Sequence, residues 1–300
     1  MWYTEVVNNK VGLRQFRYNY GTPEQCLEAI KKQRFPDPFT CPKCNTVQKF
    51  YPVTGRTSYA CNSCGHHIYP LAGTIFEHSS TPLDLWFFAM YLMTQTRSGT
   101  SAKQLERMLG VTYKTAWRMF KQIRLLMANS GGTPLDGIVE VDETFIGGKS
   151  KNKAYVANFN EIPKEVVMGM VQRKGHAYFK HIPNTGKWTL LQQIKEHIDP
   201  TARIMTDEYR SYTNLPQFGY QHDSVNHSAN QYVSGIVHNN TVEGFWSILK
   251  RGIYGVYRVV SKKYLQTYVD EYAWRYNHRQ YNGYMFELLL KQVSEVRFLK

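Results

Sequence analysis

Residues 137–148 read GIVEVDETFIGG. β-branched and aromatic residues fill the stretch and glycines bound it, so it predicts a β-strand ending in a glycine turn. Asp142 lies inside that strand beside Val141. A carboxylate buried in a strand is costly unless a cation or a hydrogen-bonding partner compensates it. Downstream, Val166–Gln172 and His176–His181 read as two more strands, with Arg173-Lys174-Gly175 as the turn between them. Trp188–Ile198 has helical periodicity. Ala202–Asp207 is another strand, again ending on an aspartate, and Tyr220–Asn226 is a fifth candidate. The order β-β-β-α-β predicts an α/β domain: a mixed sheet with flanking helices.

The segment 238–251, HNNTVEGFWSILKR, predicts a helix capped by Asn240 or Thr241, with Glu243 in its first turn. Glu243, Ser247 and Lys250 share one helix face, and Phe245, Ile248 and Leu249 are expected to face the sheet. In an RNase H-like sheet the first and fourth strands are neighbours, so Asp142 and Asp207 meet. With Glu243 they form a D…D…E series, the expected catalytic and Mg²⁺-binding set. Mg²⁺ takes hard oxygen ligands from a few carboxylates, completing its shell with waters and substrate phosphates. Two such ions, or Mn²⁺ in their place, suit phosphodiester chemistry: one activates water or a 3′-hydroxyl and the other stabilises the leaving oxygen. In this scheme Asp142 bridges both ions, Asp207 serves one and Glu243 the other. Glu140, Glu143 and Glu208 read as bystanders.

Upstream of the linker Gly131–Pro134, Thr81-Pro82 marks a helix start, and Leu85–Met93 is apolar nearly all round. Ser101–Leu109 and Tyr113–Met127 predict two helices joined by Gly110-Val111-Thr112. The second places Ala116, Trp117, Phe120, Ile123, Leu126 and Met127 on one face, and Lys114, Arg118, Lys121 and Arg124 on the other. That pattern suits a DNA-reading helix-turn-helix. Earlier still, Cys41-Pro-Lys-Cys44 and Cys61-Asn-Ser-Cys64 flank sixteen residues, the spacing of a zinc ribbon. Four thiolates close a tetrahedral shell, so this Zn²⁺ is expected to be structural. Cys26, on a predicted helix over Pro23–Gln33, reads as a small core residue.

The chain has 300 residues and a net charge of +14. Lys and Arg outnumber Asp and Glu by sixteen to seven in residues 1–135 and by ten to five in 238–300, but residues 136–237 hold eleven of each. Basic flanks around a neutral, acid-bearing centre suit a polyanion as the partner, either nucleic acid such as double-stranded DNA or an acidic membrane surface. No apolar run approaches the ~20 residues of a membrane span, and Met1–Lys10 has no apolar signal region, so a cytoplasmic protein is expected. The expected domains are 1–78 (N-terminal helix and zinc ribbon), 79–130 (helix-turn-helix) and 136–300 (catalytic domain with C-terminal helices).

Together these motifs resemble the zinc-ribbon DDE transposases of bacterial insertion sequences, the ISXO-type group. The resemblance rests on the ribbon at 41–64 and on VEVDETFIGGK (139–149), TDEYRSY (206–212), HNNTVEGFWSILKRGIYGVY (238–257) and SKKYLQTYVDEYAWRYNHR (261–279). It implies an RNase H-like core, Mg²⁺-dependent cleavage and joining of DNA by Asp142, Asp207 and Glu243, and binding to the terminal inverted repeats and target DNA. It also implies a homodimer or higher oligomer on DNA, acting at the bacterial nucleoid. Lys250 matches an E-x6-K spacing whose lysine contacts DNA in related transposases, and Arg251 joins it as a DNA-binding candidate. Two other readings are a transposase-derived DNA-binding regulator and a metal-dependent nuclease that does not join strands. Weaker candidates are a basic loop at Lys149–Lys153, His227 and His238 near the site, Trp246 as a base-stacking or core residue, and Arg275 and Arg279 as phosphate contacts.

Overall fold

The computed structural model describes residues 12–128, 132–147, 164–225, 238–281 and 283–295. It divides into two compact units, one of residues 1–129 with 280–300 and the other of residues 130–279.

The first unit opens with α1 (Leu13–Tyr20) and α2 (Pro23–Arg34). Thr22 and Gln25 form a capping box at the start of α2, with Pro23 at its first position. Small strands follow: β1 (Phe39–Thr40), β2 (Val47–Gln48), β3 (Phe50–Pro52), β4 (Tyr59–Cys61) and β5 (His67–Ile68). They form a two-stranded and a three-stranded antiparallel sheet. Next come α3 (Leu83–Gln95), α4 (Ala102–Leu109) and α5 (Tyr113–Met127). Gly110, at φ +65°, closes α4 in the left-handed conformation that glycine adopts readily. Ser101 and Thr112 cap α4 and α5 through their hydroxyls.

The second unit is built on β6 (Ile138–Ile146), β7 (Glu165–Gln172), β8 (Ala177–Ile182), α6 (Lys187–His197), β9 (Arg203–Asp207) and β10 (Gln221–Val225). Helices α7 (Asn240–Arg251) and α8 (Lys262–Asn277) complete it, joined through a π-helical segment, Gly252–Tyr257. The sheet order is β10-β9-β6-β7-β8, with β6, β7 and β8 antiparallel and β9 and β10 parallel to their neighbours. This mixed order, with a helix leading from the third strand to the fourth, is RNase H-like. Strand alternation sorts the two faces of the sheet. Val139, Val141, Met168 and Met170 pack with Leu190, Leu191 and Ile194 of α6. Val167, Val171 and Phe179 pack with Val242, Phe245, Trp246 and Leu249 of α7 and with Val269 and Tyr272 of α8. Side chains of α8 also cover the edge strand: Asn277 and Gln266 accept the backbone N–H groups of Ala177 and His181, at 2.8 and 2.7 Å.

Two sequence expectations change here. The last helix, α9 (Met285–Glu295), groups with the first unit and not with the residues that carry the acids. Its Phe286 is fully buried and packs against Phe16, Tyr20 and Phe87, with ring centroids 5.1–5.8 Å apart. Ile248, expected to face the sheet, is 42% exposed, and Val242 and Trp246 take its place in the core. No described helix is long and apolar enough to cross a membrane.

Candidate active site

Strands β6 and β9 run parallel, with Ile138 opposite Arg203 and Glu140 opposite Met205. Asp142 and Asp207 each stand two residues beyond that last pair, and the charge of Asp207 is felt at Asp142. Helix α7 lies over the same end of the sheet. From it the Trp246 indole donates a hydrogen bond of 2.9 Å to Asp142 Oδ2, and the Glu143 backbone N–H donates one of 2.8 Å to Oδ1. Glu243 stands one helical turn before Trp246, exposed, in the first turn of α7. Asp207 Oδ1 accepts the Tyr209 N–H at 3.0 Å. The three predicted acids thus gather in one place.

Burial pushes the Asp142 carboxyl up to about 6, and the charges of Asp207 and Glu243 push the same way, against the two hydrogen bonds. Such a site favours a compensating cation, and its hard oxygen donors suit Mg²⁺ or Mn²⁺. The trio is looser than the cysteine site: among the described residues, only the four cysteines bring three or more ligand atoms within 4.8 Å of one another. On the opposite face of β6, Glu143 accepts a hydrogen bond from the fully buried Tyr212 hydroxyl. Burial, with Asp142 and Asp207 nearby, pushes its carboxyl up to about 8.

Two supporting residues were not legible as such. Gly169 pairs with Asp142 across β6 and β7. A Cβ there would stand 2.8 Å from the Trp246 ring and 2.9 Å from Phe179, so only glycine leaves room for the indole that holds Asp142. Trp246 is itself a core residue, 5% exposed, and cannot serve as an open stacking platform. Glu140, read as a bystander, is fully buried beneath the start of α7. Its carboxylate accepts the backbone N–H groups of Thr241 and Val242, the Thr241 hydroxyl and Arg173 Nε, at 2.7, 3.1, 2.9 and 2.7 Å. Asn240 and Thr241 are therefore not the caps: α7 starts at Asn240 with no local side-chain cap.

In the first unit the sulfurs of Cys41 and Cys64 lie 3.7 Å apart, and those of Cys44 and Cys61 4.0 Å apart. Zn–S bonds of about 2.3 Å in a tetrahedron place sulfurs about 3.8 Å apart, so the quartet fits structural zinc. Each knuckle ends in a left-handed residue, Asn45 at φ 56° and Gly65 at φ 69°. Cys26 is fully buried, as a core residue should be.

The predicted DNA contacts separate. Lys114 and Lys121 are exposed on α5. Arg118 is exposed, but its Nη2 donates to the Ser79 and Thr81 hydroxyls at 3.1 Å. Arg124 is overturned as a phosphate contact: it is 1% exposed, with its guanidinium 3.6 Å from the Phe120 ring centroid. Arg275 is likewise buried, pairing with Glu271 at 2.7 Å, and Arg279 is tied to the carbonyls of Tyr276 and Gly175. Arg251 is exposed and Lys250 half-buried at the end of α7. His238 lies 3.3 Å from Glu140. His227 and Lys149–Lys153 lie outside the described residues.

Residues 134–277 match the ISXO2-like transposase domain, and residues 21–67 match the transposase zinc-ribbon domain. The chain thus carries an ISXO2-like transposase domain behind a transposase zinc ribbon. One relative, from Halobacterium salinarum, is described as an uncharacterized protein in transposable element ISH50. It is 28% identical over 255 residues, which span 78% of this chain and 84% of that one. Another, an uncharacterized transposase-like protein of Haemophilus influenzae, is 29% identical over 107 residues, 36% of this chain and 85% of that one. Among solved structures, a chain of the simian T-cell lymphotropic virus intasome superposes at a TM-score of 0.30 and 14% identity, covering 63% of this chain and 72% of that one. The pre-cleavage Mos1 transpososome superposes at 0.28 and 14%, covering 75% and 82%. The fold assignment rests on the strand order given above.

Proposed function

We propose that this transposase binds the ends of an insertion sequence and catalyses Mg²⁺-dependent strand cleavage and strand transfer. The observation that carries this reading is Asp142, whose carboxyl is raised to about 6 by burial and by the charges of Asp207 and Glu243. A half-buried acid beside two like charges is a poor structural element and a good cation ligand. Asp142, Asp207 and Glu243 would hold the ions, with Mn²⁺ able to substitute. When bound, the ions supply an activated oxygen nucleophile and positive charge at the leaving oxygen.

The chain's own residues do the rest. Trp246 and the Glu143 N–H orient the Asp142 carboxylate, and the Tyr209 N–H orients that of Asp207. Lys250 and Arg251 offer positive charge to the DNA backbone at the far end of the Glu243 helix. The zinc ribbon and the α4–α5 pair would grip the terminal repeat, with Lys114 and Lys121 on phosphates. Joining two ends calls for at least a dimer on DNA.

The test is an oligonucleotide duplex carrying an element end and flanking DNA, incubated with the protein, Mg²⁺ and a target plasmid. Expected are a nick at the element's 3′ end and joined strands, with neither from Asp142→Asn. Nicks without joining point to a nuclease, and binding without either product points to a regulator; both overturn the proposal.

A further inference from the structure

We propose that Glu140 is a positioning residue for Glu243: from inside the sheet it caps the helix that carries Glu243 and so fixes that acid against Asp142. This inference rests on the function proposed above.

The first N–H groups of any helix lack intrahelical partners and must find them elsewhere. On α7 no local side chain supplies one. The Asn239 side chain, at the cap position, turns away and donates to the Val141 carbonyl at 3.4 Å. The missing acceptor comes from a strand about a hundred residues earlier: Glu140 Oε2 takes both the Thr241 and the Val242 N–H. An anionic acceptor at a helix N-terminus also meets the positive end of the helix dipole. The carboxylate is 0% exposed, a placement that costs several kcal/mol unless charge and hydrogen bonds compensate. Arg173 supplies the compensation. Its Nε donates to Glu140 Oε1, its Nη2 donates to the His238 carbonyl at 2.8 Å, and its backbone N–H donates to Ile138. One guanidinium therefore ties together β6, the β7–β8 turn and the segment leading into α7.

The consequence falls on the acids. Glu140 and Asp142 are two residues apart on one strand and face the same side. Val242, which Glu140 holds, immediately precedes Glu243. The Glu243 carboxylate has no hydrogen-bond partner among the described residues, so the helix backbone alone sets its position. Without the cap the first turn of α7 frays, and Glu243 loses its place opposite Asp142 while Asp142 keeps Trp246 and the Glu143 N–H.

The experiment measures Mn²⁺ binding to the zinc-loaded full chain, without DNA, from the electron paramagnetic resonance signal of the free ion. The proteins are wild type, Glu140→Gln, Glu243→Gln and the double variant, with a thermal melt for each. Loss of a group that orients a metal ligand typically weakens affinity by about tenfold or more. Glu140→Gln should therefore weaken Mn²⁺ binding about tenfold at a temperature where it remains folded. In the Glu243→Gln background it should weaken binding no further, because its effect passes through Glu243. Thr241→Val, which removes only the hydroxyl donated to Glu140, gives a smaller loss in the same direction and serves if Glu140→Gln does not fold. Unchanged Mn²⁺ binding in a folded Glu140→Gln or Thr241→Val protein overturns the proposal. So does a tenfold loss that persists in the Glu243→Gln background, which a merely structural role would produce. Wild type that binds no Mn²⁺, or binds it equally after Asp142→Asn, refutes instead the function on which the proposal rests.

Discussion

Asp142 should destabilise the metal-free protein, and Asp142→Asn should therefore stabilise it while removing activity. The Asp142 carboxyl is raised from an ordinary 3.8 to about 6. At 1.36 kcal/mol for each tenfold change in acidity, the ionised form carries a penalty of about 3 kcal/mol in the fold. Because the folded value lies above the unfolded one, the folded state keeps this proton longer. The penalty is absent below about pH 4, grows between pH 4 and 6, and is complete above. Asparagine removes it but has one acceptor oxygen for the two donors, Trp246 Nε1 and the Glu143 N–H, a loss of about 1 kcal/mol. The net expectation is about 2 kcal/mol in favour of Asp142→Asn at pH 8, shrinking and reversing toward pH 4. Urea unfolding in divalent-free buffer measures it; strong chelators must be left out because they would strip the zinc. Millimolar Mg²⁺ should then stabilise wild type and not the variant. If Asp142→Asn is less stable than wild type at pH 8, or the difference does not change with pH, the carboxylate is a structural partner and the reasoning fails.

Three further outcomes follow from the geometry. Gly169→Ala should cost about 1–3 kcal/mol, the usual penalty of overpacking, and should lower joining activity by displacing Trp246 from Asp142; unchanged stability and activity would show that the indole does not need the space. Purified protein should contain one zinc per chain by elemental analysis, and Cys61→Ser should lose both the metal and binding to the element end; full binding without zinc contradicts a structural role for the ribbon. Lys114→Ala and Lys121→Ala should each reduce the salt dependence of DNA binding by about 0.9 in the log–log slope, whereas Arg124→Ala should lower the melting temperature and leave that slope alone; a slope that falls with Arg124→Ala would return this residue to the DNA surface.

The sheet was legible because its strands are short runs rich in β-branched and apolar residues, several of them bounded by glycine. The acids stood out because Asp142 interrupts an apolar run and Asp207 ends one. The cysteine spacing is specific enough to identify the ribbon without a structure. What sequence hid was mostly long-range. A cap supplied to Thr241 by Glu140 leaves no local signature, and the glycine that admits Trp246 is a lone Gly in a strand. The partner of α9 was equally hidden, since an amphipathic helix shows which face it buries but not against what. Arg124 is different: it stands four residues after Phe120 and three before Met127, positions that share the apolar side of α5, so the helical pattern already argued against a phosphate contact. Arg275 likewise follows Glu271 by four residues, the spacing of a helical ion pair.

If the acids act by holding a divalent cation, a change of ligand hardness at Asp207 should change which metal supports joining. Thiolate is a softer donor than carboxylate and discriminates against Mg²⁺ more than against Mn²⁺. In a strand-transfer assay, Asp207→Cys should join nothing with Mg²⁺ and regain joining with Mn²⁺, whereas Asp207→Asn should stay inactive with either metal. Joining by Asp207→Cys and Asp207→Asn with Mg²⁺ at the wild-type rate would contradict the account.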